Sequence, residues 1–208
     1  ISIQQKIDRK SDRIFTFGMI GVISKYKGVF EFAKAAEIFK KNGLNARFVY
    51  VGGRAREKRG IDKILEKLNL YEDSSTKIKE YISENGLNNV DFWGFKTNLL
   101  EIYSEIDVVC FPSYLDAPGR PVIEAALFGK PCVVAIKEPS IDTIIDGETG
   151  LCIRKKDVQS LFNALIKLYH DRELAESLGK NAKRLAIQNF DIEKNSKKLI
   201  SLYDSITN

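Results

Sequence analysis

The chain has 208 residues, 44% hydrophobic and 29% charged, with three cysteines, one histidine and a net charge of +5. That balance describes a globular domain able to bury a substantial core, and it excludes a disordered chain, a disulfide-stapled scaffold and a bundle of membrane-spanning helices. No apolar run approaches the about 18 residues that a transmembrane helix needs, and the basic residues are mixed with acidic ones in the manner of a solvated surface, not a nucleic-acid footprint.

Residues 1–13 are polar and charged, lack the apolar core of a signal peptide and are expected to be an interdomain linker or the edge of the chain. Isoleucine at position 1 suggests that the natural N-terminus lies upstream. Residues 14–208 are expected to form one domain. From Ile14 onward, strand-like and helix-like segments alternate. The first half reads as a strand at Ile14–Ile20, a helix from Gly28 to Lys41, a strand at Ala46–Val51 and helical stretches over Asp62–Leu70 and Thr76–Glu84. The second half offers strands at Val90–Trp93, Asp107–Phe111, Cys132–Ile136 and Leu151–Ile153, a short helix at Leu99–Ser104 and another at Val122–Phe128. Such alternation predicts an α/β fold, a parallel sheet with helices on both faces. After Asp157 the apolar positions fall at helical spacing, as in Leu161, Leu165 and Leu168, and predict three closing helices ending at Ile192–Ile206. The cysteines, Cys110, Cys132 and Cys152, sit in apolar strand-like runs without metal-ligand spacing and read as buried free thiols, which suits a reducing cytoplasm.

The stretch Phe111 to Ala135, FPSYLDAPGRPVIEAALFGKPCVVA, is the most informative. It runs from a buried strand through a Pro/Gly-rich loop into a helix with Pro121 near its first turn. In open α/β sheets, ligands bind at the carboxyl ends of the strands, where helix N–H groups and the helix dipole favour an anion such as a diphosphate. Asp116 lies in the loop and Glu124 about one turn into the helix, with Gly119 and Arg120 between them. A carboxylate accepts two hydrogen bonds and a ribose presents two neighbouring hydroxyls, so Glu124 suits a diol and Asp116 the hydroxyls of a sugar. Taken singly, a helix glutamate is more often solvated surface, and a loop aspartate more often makes a turn. Arg120 either adds a fixed positive charge for a diphosphate or points outward.

Two further segments have the same character. Gly18 to Gly28 joins a strand end to a helix through glycines and a basic loop, in which Lys27 suits a phosphate. Its spacing matches neither the dinucleotide nor the P-loop pattern, so an ordinary strand-to-helix turn is an equal reading. The segment GGRAREKRG, Gly52 to Gly60, reads as a basic loop at a strand end or as a ligand contact.

These residues resemble the retaining GT-B glycosyltransferases of glycosyltransferase family 4, specifically their C-terminal, donor-binding half. The family signature P-S-x-x-E-x-x-G-x-x-x-x-E-A followed by G-x-P is met by Pro112, Ser113, Asp116, Gly119, Glu124, Ala125, Gly129 and Pro131. Gly21 through Lys27-Gly28 resembles the family's G-R-L…K-G loop, and Asp146-Gly147 to Gly150-Leu151 its D-G-x-T-G-L turn. The resemblance implies a Rossmann-like domain in which Glu124 holds the nucleotide ribose, Asp116 the donor sugar and Lys27 the diphosphate. Gly21 and the backbone around Ala117, Gly119 and Arg120 would complete the cradle, and Phe95 would pack against the base. No metal or other cofactor is implied, because basic side chains and a helix N-terminus offset the departing charge.

Two positions depart from the pattern. The usual first glutamate is Asp116, one methylene shorter, and the loop arginine is Val22, for which Arg120 is the candidate replacement charge from the other side. The lone histidine, His170, lies far from these motifs and reads as a surface or capping residue. The chain therefore looks like half of an enzyme that moves a sugar from a nucleotide-sugar donor to a hydroxyl acceptor in surface polysaccharide or glycolipid synthesis. Its missing partner would be an N-terminal acceptor-binding lobe. The expected location is the cytoplasm, with possible peripheral contact at the inner face of the membrane. A non-catalytic donor-binding module working with a partner chain, or a GT-B nucleotide-sugar epimerase, are the alternatives.

Overall fold

The computed structural model describes residues 13–53 and 73–207. The expected linker up to residue 12, residues 54–60 of the basic loop and the helical stretch at 62–70 lie outside the described residues. Strands β1 (Phe15–Ile20), β2 (Ala46–Val51), β3 (Val90–Gly94), β4 (Val108–Phe111), β5 (Cys132–Ala135) and β6 (Gly150–Ile153) form one sheet in the order β3-β2-β1-β4-β5-β6. Every pairing is parallel. The described helices are α1 (Val29–Lys41), α2 (Ser74–Glu84), α3 (Leu99–Glu105), α4 (Arg120–Leu127), α5 (Val158–His170), α6 (Arg172–Asn189) and α7 (Ile192–Thr207).

The apolar strand runs are explained by burial on both faces, since a parallel sheet covered by helices on each side has no solvent face. Side chains alternate accordingly. Phe17, Phe48, Tyr50, Val108, Cys110 and Val133 pack against α1, α5 and the start of α6, while Val49, Val109, Phe111 and Val134 pack against α3 and α4. On the first face, Phe17, Phe39 and Phe48 meet with ring centroids 5.0–5.3 Å apart. On the second, Gly18 leaves room for Ile106, whose side chain fills the place of a Cβ.

Several element boundaries shift by one or two residues from their predicted spans. Helix α4 begins two residues before the predicted Val122, at Arg120, because Pro121 fits the first turn and Gly119 serves as its N-cap. Cys110 and Cys132 are buried free thiols, whereas Cys152, on the edge strand β6, is half-buried. His170 ends α5 on the surface, with its ring edge-on to Tyr169. Among the described residues, no helix is long and apolar enough to cross a membrane.

Candidate donor site

The strand order places the point where the winding reverses between β1 and β4. Helix α1 leaves β1 toward one face and α4 leaves β4 toward the other, so their two loops part at the carboxyl edge and open a crevice. These loops carry most of the sequence-predicted residues: Gly21 and Lys27 in the first, and Asp116, Ala117 and Gly119 in the second, leading to Arg120 and Glu124. Their fit is set by close backbone approach. Gly28 has φ 78°, and a Cβ there would fall on the Pro112 carbonyl. Tyr26 O accepts from the Tyr114 N–H at 2.8 Å and from the Ser113 hydroxyl at 3.3 Å. The Tyr114 hydroxyl donates to Glu31 Oε1 at 2.7 Å, and burial together with Glu31 pushes that phenol up to about 12. Gly21 has φ 131° and open space where a side chain would lie, while its N–H donates to Val51 O at 2.8 Å.

Phe111, at the end of β4, connects the positive groups. Lys27 Nζ lies 4.9 Å from its ring centroid, and Gly119 abuts the same ring so closely that a Cβ would lie 2.5 Å from Cζ. The ammonium and the N-terminus of α4 therefore border one aromatic side chain. No side chain caps α4; Pro121 has no N–H and the Val122 N–H donates to the Gly119 carbonyl at 2.9 Å, which leaves the positive end of the helix dipole and the Arg120 backbone at the carboxyl edge.

Glu124 is held from two sides. Its Oε2 accepts from the Tyr103 hydroxyl at 3.0 Å, and its Oε1 pairs with Arg120 Nε at 3.1 Å. Its side chain is 20% exposed and that of Arg120 88%. Burial, and then the Glu124 carboxylate, push the Tyr103 phenol far above its ordinary value, which keeps it a donor. Arg120 thus pairs with Glu124 in this structure, with most of its side chain open to solvent.

Asp116 occupies a different environment. Its Oδ1 accepts from the Lys137 N–H at 3.0 Å, and its Oδ2 pairs with Lys155 Nζ at 2.8 Å. The shorter acid therefore ties the β4–α4 loop to the segments after β5 and β6. The neighbouring Lys156, at φ 56°, sets its ammonium 4.8 Å from the Tyr114 ring centroid. The Lys137 N–H, and then Lys155, hold the Asp116 carboxyl below its ordinary value of 3.8. A depressed folded value means stability that is present above 3.8 and lost as pH falls through the lower folded value. Asp116→Asn should therefore melt below the wild type at neutral pH, with the gap closing only below pH 3.8; thermal melts across pH check this. A gap that closes at higher pH would show that these contacts do not act on the carboxylate.

Phe95 lies after β3, two strands from β1, and is 82% exposed. It belongs to the loop entering α3, the helix that carries Tyr103, so Phe95 and Glu124 border the same element. Val22 and Ala117 are exposed at the rim. The Asp146–Leu151 match is a structural turn: Asp146 Oδ1 accepts from the Cys152 N–H at 2.7 Å, and Thr149 Oγ1 from the Ile145 N–H at 2.8 Å. Sequence reasoning missed Tyr103, Phe111 and Lys155. Tyr103 and Phe111 fall in apolar runs that signal core, and Lys155 lies in a basic pair that signals surface. Among the described residues, no three His, Cys, Asp or Glu side chains come together as metal ligands.

The chain is 24% identical over 203 residues to the capsular polysaccharide biosynthesis glycosyltransferase CapM of Staphylococcus aureus, covering 98% of this chain and 49% of CapM. It is 28% identical over 181 residues to a Campylobacter jejuni N,N'-diacetylbacillosaminyl-diphospho-undecaprenol alpha-1,3-N-acetylgalactosaminyltransferase, covering 87% of this chain and 42% of that enzyme. The chain thus spans about half the length of these curated relatives. Among solved structures, Anabaena HepE in complex with UDP and glucose superposes with a TM-score of 0.77 at 22% identity, over 99% of this chain and 53% of HepE. The C-terminal domain of the glycosyl transferase group 1 family protein LpcC of Francisella tularensis superposes with a TM-score of 0.68 at 24% identity, over 92% of this chain and 94% of that domain. The fold is that of the C-terminal, Rossmann-like lobe of GT-B glycosyltransferases. The family model for glycosyl transferases group 1 matches residues 2–185, and the chain belongs to that family.

Proposed function

We propose that residues 14–208 form the donor-binding half of a retaining glycosyltransferase that moves a sugar from a nucleotide-diphosphate sugar to a hydroxyl acceptor, with residues 1–13 linking it to an acceptor-binding lobe. The observation that carries this reading is the crevice between β1 and β4, where a half-buried carboxylate, Glu124, lies one turn into α4, the helix whose uncapped N-terminus borders the same Phe111 ring as Lys27. A carboxylate fixed in this way suits a ribose diol, and the ammonium with the amides around Gly119 suits a diphosphate. Gly21 gives the chain close approach to the ligand, and Phe95 offers the base an exposed aromatic face.

Asp116 meets the sugar hydroxyls in this reading, with Lys155 beside it. The leaving diphosphate is stabilised by Lys27 and the α4 N-terminus without a metal ion. Acceptor contacts belong to the other lobe, so this half alone binds donor and does not turn it over. CapM's part in capsular polysaccharide biosynthesis and the undecaprenol-linked substrate in the Campylobacter enzyme's name support surface polysaccharide or glycolipid synthesis. They also support a cytoplasmic protein working at the membrane's inner face. Nucleic acid is not part of this reading.

HepE was crystallised with UDP and glucose, which makes UDP-sugars the first donors to try. In a thermal-shift panel of UDP-, GDP- and ADP-sugars, a donor at about 100 times its dissociation constant stabilises the protein by roughly 2.7 kcal/mol. For a protein of this size that raises Tm by roughly 5–10 °C. A panel in which no donor shifts Tm would sink the proposal.

A further inference from the structure

We propose that Tyr103 is a positioning residue that makes the site select ribose over deoxyribose by fixing the Glu124 carboxylate; this rests on the donor-site reading above. Tyr103 comes from α3, which packs beside α4 on the second face of the sheet. Its side chain is 0% exposed, and its ring stacks on Phe128 with centroids 4.9 Å apart and planes 16° apart. Packed in this way, the ring has no freedom to carry its hydroxyl elsewhere.

The hydroxyl has one hydrogen and two acceptors in range, Glu124 Oε2 at 3.0 Å and Pro121 O at 3.4 Å. The carboxylate is nearer and charged, and takes the hydrogen. Glu124 is therefore held unequally. Among the described residues, Oε2 is bound from within by a buried donor, whereas Oε1 is bound by an exposed arginine one helical turn away. Surface pairs of that kind contribute little and exchange readily with solvent or ligand. An incoming diol thus meets a carboxylate whose plane is already set, with Oε1 and the free lone pair of Oε2 as acceptors. An unsupported glutamate would lose rotamer freedom on binding. Tyr103 removes much of that cost before the ligand arrives, and the benefit is realised only if both ribose hydroxyls are present.

A buried tyrosine that merely satisfies its own hydroxyl on a convenient carboxylate would support the fold and leave ligand preference unchanged, and calorimetry separates these roles. The chain is titrated with UDP, GDP and ADP, and the diphosphate that binds is then compared with its 2′-deoxy form in wild type and Tyr103→Phe. Wild type should bind the deoxy form about 10- to 100-fold more weakly, the value of one hydrogen bond to a charged group. Tyr103→Phe should retain its ring stack but discriminate by less than about threefold. Discrimination equal to the wild type would overturn the inference while leaving the donor site standing. If the phenylalanine variant does not fold, Phe128→Leu decides, since it keeps the hydroxyl and removes the stack. Reduced discrimination there supports positioning, and wild-type discrimination overturns it. Binding of no diphosphate by the wild type would refute the donor site and this inference together.

Discussion

Glu124→Ala is expected to weaken donor binding by about a hundredfold or more. Each hydroxyl-to-carboxylate hydrogen bond contributes about 1.5–3 kcal/mol, and two such bonds to one diol make this the largest single ligand interaction the site can offer. The variant should also lose stability of its own. Tyr103 would keep its buried hydroxyl with only the more distant Pro121 carbonyl as partner, and an unsatisfied buried donor costs roughly 1–3 kcal/mol. Glu124→Gln separates the two effects. Its amide oxygen can still accept from Tyr103, so the melting temperature should stay near that of the wild type while affinity for the donor falls, because the amide nitrogen cannot accept a ribose hydroxyl. Calorimetry and thermal melts on the three proteins provide the test. If Glu124→Ala binds donors as tightly as the wild type, the ribose lies elsewhere and the assignment of this carboxylate fails.

Gly28→Ala should produce the largest structural effect. The residue has φ 78°, a conformation that costs an L side chain about 1–2 kcal/mol, and its Cβ would fall on the Pro112 carbonyl. A backbone obstacle cannot rotate away as a side chain does, so the two loops must separate and give up the Tyr26–Tyr114 and Tyr26–Ser113 hydrogen bonds. A loss of about 3 kcal/mol or more follows, together with a large fall in donor affinity, because these loops carry Lys27 and Asp116. Gly43→Ala is the control. It shares the left-handed conformation, at φ 67°, but has open space around it, so it should show only the conformational cost and unchanged affinity. Chemical denaturation and calorimetry of both variants check the prediction. Equal losses at the two glycines would mean that loop contact contributes nothing beyond φ.

Part of this architecture is legible in local patterns. The strand at Ala46–Val51 matches its predicted span, since six mostly apolar residues between turn signals have one stable use in a sheet covered on both faces. Helix α4 is less exact at its start, because its first turn depends on Gly119 lying against the Phe111 ring, a contact across eight residues of loop and strand. Cys152 shows the same limit: its run looks like that of Cys110, but β6 is the sheet edge and β4 lies inside it. Within the site, the spacing of Asp116, Gly119 and Glu124 identifies the carboxylates and their loop. It does not tell that Asp116 engages Lys155 while Glu124 engages Tyr103, a residue 21 positions earlier.

The sequence by itself determined the element types, the alternation that requires a parallel sheet, the crevice loops and the acidic pair within them, because periodicity and turn chemistry act over a few residues. Only the tertiary structure decided the strand order that puts β1 beside β4, the contact of Gly28 with Pro112, and the partners that make Glu124 a fixed acceptor and Asp116 a tether between loops. Those outcomes depend on which distant surfaces pack together. Packing is a balance of many small contacts summed over the whole fold, and no single stretch of the chain contains it.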